Sequence, residues 1–335
     1  MAKLRAGLIG LGMMGRHHAR VLSSLDGVEL VAVADPLGDP HGIAGGRDVL
    51  GGVDEIIKTG VDYCVVAVPT TYHEDIGLAL AAAGVHSLIE KPLAPDVASA
   101  QLLAEAFEAA GLVGAVGHIE RYNPALQSAR ARIEAGELGR VYQVTTRRQG
   151  PFPARIADVG VVKDLATHDI DLTAWVTQQR YTRISANTAF RSGREHEDLV
   201  AATGLLEDGT VTNHLVNWLS PLKERVTTIT GERGAFVADT LTADLTFYAN
   251  GSVKVVRDDI AQFRGVSEGD MIRYAIAKPE PLRVEHEQFR DAVLGNDGDI
   301  VTMRQGLETV RVAEACIAAA RGGAGIKLDS PRVKA

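Results

Sequence analysis

Leu4-Arg5-Ala6-Gly7-Leu8-Ile9-Gly10-Leu11-Gly12-Met13-Met14-Gly15 joins a short apolar run to three glycines spaced G-x-G-x-x-G, and Asp35 follows twenty residues after the last of them. Leu4–Ile9 reads as a strand, Met13–Leu25 as a helix and Glu29–Ala34 as a second strand, so the glycines fall where a strand turns into a helix. At such a turn the first glycine permits the sharp bend, the second lets backbone approach a pyrophosphate, and the third allows helix and strand to pack closely. The helix amino terminus adds unpaired N–H groups and a partial positive charge. Gly10, Gly12, Met13, Met14, Gly15 and Asp35 therefore form a candidate dinucleotide site; the plainer alternative is a tight turn with no ligand. Asp35 would accept hydrogen bonds from ribose hydroxyls and repel a phosphate, and Pro36-Leu37-Gly38 brings no cation, which selects NAD over NADP.

Outward from this turn, strand-like runs at Asp62–Val68, His86–Ile89 and Leu112–Gly117 alternate with helical patterns at Tyr72–Ala83 and Asp96–Ala110. That alternation predicts a doubly wound parallel sheet, an α/β domain over residues 1–120. From Arg140 the pattern changes: Val141–Arg148, Thr182–Phe190, Leu199–Leu206, Thr210–Trp218, Arg225–Thr230 and Leu245–Tyr248 follow one another, several separated by turn signals such as Asp208-Gly209. An α+β domain with a largely antiparallel open sheet is expected over 121–335, interrupted by a helix at Asp164–Thr177. Two terminal helices, Pro281–Leu294 and Met303–Arg321, are free to pack back on the first domain. Residues 258–278 have weak periodicity.

Length and composition agree with two domains: 335 residues, 46% apolar. The formal charge of −8 disfavours nucleic acid. Cys64 and Cys316 read as buried thiols of a reducing compartment, and the amino terminus enters a strand with no room for a signal peptide, so a cytoplasmic protein is expected. The longest apolar stretch, Ile76 to Val85, holds two glycines and is too short to span a membrane. His17 and His18 point to different helix faces, and no spacing of Cys, His and carboxylates makes a convincing metal site. No nucleophile-elbow signature is present.

Three further segments, Val68-Pro69-Thr70-Thr71-Tyr72-His73, Leu88-Ile89-Glu90-Lys91-Pro92-Leu93 and Asp164-Leu165-Ala166-Thr167-His168-Asp169-Ile170-Asp171, occur in this order after the glycine motif. Together they strongly resemble the glucose-fructose oxidoreductase/inositol dehydrogenase/rhizopine-catabolism (Gfo/Idh/MocA) family over essentially the whole chain. The resemblance implies a Rossmann domain and a nicotinamide dehydrogenase of sugar, cyclitol or sugar-nucleotide hydroxyls. It implies Lys91, Asp164 and His168 as the catalytic group, Pro69, Thr70, His73, Glu90 and Lys91 beside the cofactor, and a cis Lys91–Pro92 peptide. The chemistry of the residues agrees. Removing a hydroxyl proton as hydride leaves needs a base near neutral pKa, which histidine supplies, and a donor for the developing oxyanion, which lysine supplies. On a regular helix Asp164 and His168 would share a face, whether as a catalytic pair or as an ordinary surface pair.

Gly117-His118-Ile119-Glu120-Arg121-Tyr122-Asn123-Pro124 resembles a nucleotide-sugar branch of the same family. That likeness implies His118, Arg121, Tyr122 and Asn123 as substrate contacts and Lys163 as a cation for a diphosphate; a domain-junction ion pair with an Asn-Pro helix start is the competing reading. The expected substrate is a UDP-N-acetylglucosamine-like sugar nucleotide oxidised at carbon 3. Inositol or simple-sugar oxidation is the nearer alternative, and an NAD-bound regulatory protein the more distant one. A homodimer or homotetramer is expected through a sheet face that the second domain's helices leave uncovered.

Overall fold

Tyr63-Cys64-Val65-Val66 is buried at every residue, which requires apolar cover on both faces of one strand. The computed structural model describes residues 3–152, 159–251 and 269–328. Within them the elements run β1 (Leu4–Ile9), α1 (Met13–Leu22), β2 (Val28–Ala34), β3 (Val49–Leu50), α2 (Val53–Lys58), β4 (Tyr63–Val66), α3 (His73–Ala82), β5 (His86–Glu90), α4 (Val97–Ala109) and β6 (Gly114–Gly117). There follow α5 (Pro124–Glu134), β7 (Val141–Pro151), α6 (Thr167–Thr177), β8 (Tyr181–Ala189), β9 (Leu199–Leu206), β10 (Val211–Asn217), β11 (Leu219–Gly231), β12 (Gly234–Asp239), β13 (Asp244–Ala249) and β14 (Met271–Arg273). The chain closes with α7 (Pro281–Val293), α8 (Met303–Gly322) and β15 (Ile326–Lys327). Two compact units result, Met1–Tyr122 with Pro279–Glu314, and Asn123–Lys278 with Ala315–Ala335.

In the first unit the described strands form a six-stranded sheet in the order β3-β2-β1-β4-β5-β6, parallel throughout. Side chains alternate across β4, so Cys64 and Val66 pack with Ile9, Ile89, Leu103 and Phe107, while Tyr63 and Val65 pack with Leu8, Leu88 and Phe289. The order reverses between β1 and β4, and in open parallel sheets the crevice at the carboxyl ends of such strands takes the ligand. Residues 279–314 contribute directly to this unit's core. Phe289 of α7 meets Tyr63 edge to face, with ring centroids 5.4 Å apart, and Met303, Leu307 and Val310 of α8 join the cluster around Phe107. The unit is thus discontinuous in sequence.

The second unit carries a nine-stranded sheet among the described residues, ordered β14-β13-β12-β11-β7-β10-β9-β8-β15. Its pairs are antiparallel except β7 with β10. Ala125, Leu126 and Ala129 of α5 and Leu172, Trp175 and Val176 of α6 pack onto Val144, Ile229, Phe236 and Leu245. The alternate residues Leu205, Val211 and Leu215 are exposed.

Four short or polar elements, α2, β3, β12 and β15, escape the sequence reading, as does α5. Too few residues form α2, β3 and β15 for a period to register, and α5 shows itself only by its Asn123-Pro124 start. Residues 258–268 of the weakly periodic segment lie outside the described residues. Beyond them β14 adds an edge strand to β13, and Lys278 binds Asp244 at 2.6 Å.

Phe289→Ala is expected to destabilise the first unit by about 3–5 kcal/mol in urea unfolding, the usual cost of emptying a buried aromatic site. A loss below about 1 kcal/mol would mean that α7 is not part of that core.

Candidate active site

Each glycine of the first turn answers a distinct spatial demand. Gly10 has φ +96°, and a Cβ there would lie 2.4 Å from the Ala67 carbonyl oxygen. A Cβ on Gly15 would sit 1.9 Å from the Gly10 oxygen, so the helix and the turn touch backbone to backbone. At Gly12, by contrast, a Cβ would meet nothing within 4 Å. Gly12 is also the N-cap of α1, no side chain caps it, and no acid stands in the first turn. This cradle of free N–H groups under open space fits a pyrophosphate. Asp35 follows β2 with its carboxylate held by the chain: Oδ2 accepts the Leu11 N–H at 2.8 Å and Oδ1 the Leu37 N–H at 2.9 Å. Each oxygen keeps a lone pair for a ribose hydroxyl. Asp39, which the sequence reading passed over, organises the glycine-rich connection by accepting the N–H groups of Ile43 and Ala44 at 2.8 and 2.7 Å.

The carboxyl ends of β4 and β5 carry the next candidates. Pro69 is exposed, Thr70 is half-buried, and the two begin a 3₁₀ turn; Tyr72 is the N-cap of α3. His73 is fully buried. Its Nδ1 faces the Pro92 oxygen at 3.0 Å and its Nε2 the Val68 oxygen at 3.0 Å, so the ring ties the end of β4 to the Lys91–Pro92 turn. Burial lowers its pKa, against the pull of the Val68 and Leu93 carbonyls. The Lys91–Pro92 peptide is cis. Lys91 itself is half-buried, and its N–H donates to Glu90 Oε2 at 3.0 Å. Glu90 is buried, with its other oxygen 3.0 Å from His18 Nε2.

Past β6, His118, Arg121 and Tyr122 are buried. Arg121 donates to Gln305 at 3.0 Å and the Tyr122 hydroxyl to the Asp299 oxygen at 3.0 Å. Asn123 opens the second unit: its Oδ1 caps α5 through the Ala125 N–H at 3.0 Å, and its amide donates to the Thr240 oxygen at 3.0 Å. The first of these contacts is that of an Asn-Pro helix start.

In the second unit Lys163 and Asp164 stand on a π turn, Val162–Ala166, that runs into α6, which carries His168. The expected regular α-helix from Asp164 is therefore corrected. The i→i+5 bonding of a π turn adds a residue to the spiral, so an α-helical spacing does not relate Asp164 to His168. In the connection that precedes β9, Glu197 takes the Val162 N–H on Oε1 at 3.0 Å, and its backbone oxygen takes the Val161 N–H at 3.0 Å. Gly160 is required beside it, because a Cβ would lie 2.0 Å from the Glu197 carboxylate. Asp164 and His168 are buried and Lys163 half-buried. The next residue, Asp169, forms a buried ion pair with Arg148 of β7 at 2.9 Å. Neither Glu197 nor Arg148 carried a sequence signal, since each acts by meeting a segment remote in the chain. Among the described residues no cluster of three or more His, Cys, Asp or Glu could hold a metal ion, and no helix is long and apolar enough to cross a membrane.

Comparison with known proteins matches residues 4–118 to the oxidoreductase family with an NAD-binding Rossmann fold, and residues 126–237 to the GFO/IDH/MocA C-terminal domain. The chain is 30% identical to scyllo-inositol 2-dehydrogenase (NAD(+)) of Bacillus subtilis, over 55% of its own length and 57% of the relative's. It is 29% identical to UDP-N-acetylglucosamine 3-dehydrogenase of Acidithiobacillus ferrooxidans, over 88% of this chain and 90% of that one. A solved structure of the latter enzyme superposes with a TM-score of 0.83 at 26% identity, covering 96% of this chain and 99% of that one.

Two substitutions separate ligand space from packing space. Gly12→Val is expected to leave thermal unfolding of the unliganded protein within a few degrees of wild type while raising the Kd for NAD at least about tenfold by calorimetric titration. Gly15→Ala should lower the unfolding temperature itself, because its methyl collides with backbone.

Proposed function

Because the chain belongs to the Gfo/Idh/MocA oxidoreductase family, we propose that it oxidises a secondary ring hydroxyl, at carbon 3, of a UDP-N-acetylglucosamine-like sugar nucleotide. The observation that carries this choice of substrate is extent. Likeness to the sugar-nucleotide enzyme runs through 88% of the chain, whereas likeness to the scyllo-inositol enzyme covers 55%. Inositol oxidation is the second reading, favoured by the 30% identity within that shorter span.

NAD, when bound, supplies the hydride acceptor. The N–H groups after Gly12 receive its phosphates and Asp35 its adenosine ribose, with Pro69 and Thr70 beside the nicotinamide ribose; His73, expected there too, is buried with both ring nitrogens against the Pro92 and Val68 carbonyls and positions that turn instead. Lys91 presents an ammonium to the reacting oxygen and steadies the charge that develops as the hydroxyl proton leaves. His168 takes that proton, and Asp164 orients the imidazole or the sugar beside it. Arg121 and Lys163 are the candidate cations for the diphosphate and His118 a further substrate candidate, whereas the polar atoms of Tyr122 and Asn123 are held by Asp299 and by Thr240 and Ala125. Opposite the helices of the second unit, Leu205, Val211 and Leu215 mark a sheet face suited to pairing with a second copy.

Lys91→Ala and His168→Ala should each lower turnover about 10²-fold or more with the NAD Kd within several-fold of wild type; wild-type-like turnover in either variant removes that residue from the mechanism. Steady-state kinetics with UDP-N-acetylglucosamine, myo-inositol and glucose should favour the first by kcat/KM, and preference for myo-inositol would install the second reading. Sedimentation at micromolar concentration should show dimers or tetramers, and monomers alone would refute the pairing face.

A further inference from the structure

A buried polar cluster lies against Glu90, on the protein side of the Lys91 turn, and none of the roles above uses it. His18 of α1 and His286 of α7 are both 0% exposed, and Glu285 is 2% exposed. His18 Nδ1 stands 2.8 Å from His286 Nε2, and His18 Nε2 stands 3.0 Å from Glu90 Oε1. Glu90 Oε2 accepts the Lys91 N–H. Both Glu285 oxygens and His286 Nδ1 have no hydrogen-bond partner. The titratable groups that act on Glu90 are therefore His18 from α1, His73 from α3, Lys91 from its own turn and Glu285 from α7, with His286 of α7 reaching it through His18.

Each of the two short ring contacts must contain a proton. Burial holds His286 well below its usual pKa, so that ring is neutral with one N–H. A buried N–H left unbonded is the rarer kind of orphan, which puts the proton on Nε2 and leaves Nδ1 bare. His286 Nε2–H then donates to His18 Nδ1, and His18 Nε2–H donates to Glu90. Two carboxyls in one dry pocket cannot both ionise cheaply, and the donors decide between them. Glu285 receives none, and burial together with the Glu90 charge pushes it well above the carboxylate range. Burial acts on Glu90 in the same sense, but the His18 bond and the charge and N–H of Lys91 outweigh it and hold Glu90 low.

We propose that His18 and His286 are positioning residues that fix the negative charge of this pocket on Glu90, where it holds the Lys91 backbone for reaction, and leave Glu285 protonated. This rests on the role of Lys91 given above. The test measures kcat and kcat/KM against pH, NAD affinity by calorimetry, and unfolding temperature against pH for the protein without NAD or substrate. The His18→Gln amide keeps a donor near the Nε2 position and His18→Asn does not. His18→Asn is expected to lower kcat about tenfold or more and to move the acid limb of kcat/KM up by about one pH unit or more, with the NAD Kd within about threefold. His18→Gln should regain most of kcat and the wild-type limb, His286→Leu should move the limb the same way by less, and Glu285→Gln should leave it in place.

Without ligands the sign is opposite in the two proteins. Glu90 held low adds stability above the ordinary carboxylate pKa, and this is lost as pH falls through its folded value. In His18→Asn, where only Lys91 still opposes burial, Glu90 favours folding at low pH, and that contribution is lost as pH rises. An acid limb unmoved in both His18→Asn and His286→Leu, or moved as far by Glu285→Gln, would overturn the proposal. If Lys91→Ala retained turnover while the unfolding profiles of wild type and His18→Asn still diverged as described, the role of Lys91 would fail and the charge assignment would stand.

Discussion

The first unit is organised by a contact too close for any side chain: backbone at Gly10 lies against the Ala67 carbonyl, and backbone at Gly15 against Gly10 itself. That closeness brings the amino terminus of α1 to the carboxyl ends of β1 and β4, where the strand order reverses. Every candidate of this unit stands at the same edge: Gly10 after β1, Asp35 after β2, Pro69 and Thr70 after β4, Glu90 and Lys91 at the end of β5, His118 after β6. Parallel strands make this economical, since all of them deliver their carboxyl ends to one side. The cores beneath are apolar on both faces, and rigidity there is what lets loops be placed to fractions of an ångström.

Buried polarity follows a different logic from the apolar core. Charged groups are removed from water only where a partner compensates, and breaking one buried partner costs about 3–5 kcal/mol. Arg148 with Asp169 and the Glu197 carboxylate with the amide of Val162 satisfy that requirement in the second unit, and both adjoin the π turn that carries Lys163 and Asp164. The π turn is thus supported from outside itself. Glu90 with His18 and His286 satisfies it in the first unit.

Local pattern alone determined a good deal of this protein. Strand–glycine–helix spacing set the dinucleotide turn, β-branched runs alternating with helical periods set the parallel sheet, and consecutive strands with tight turns set the antiparallel one, because each signal is carried by neighbours in the chain. Glu90-Lys91-Pro92 and Asp164 to His168 were legible as motifs. What tertiary structure alone decided was the environment of those motifs. Glu90 turns inward to an imidazole 72 positions away, Tyr122 and Asn123 spend their polar atoms on internal partners, and Asp164 sits on a π turn instead of an α-helix. Residues 279–314 join a core whose other members lie before residue 123. Such features depend on desolvation and on partners remote in sequence, and no local periodicity encodes either.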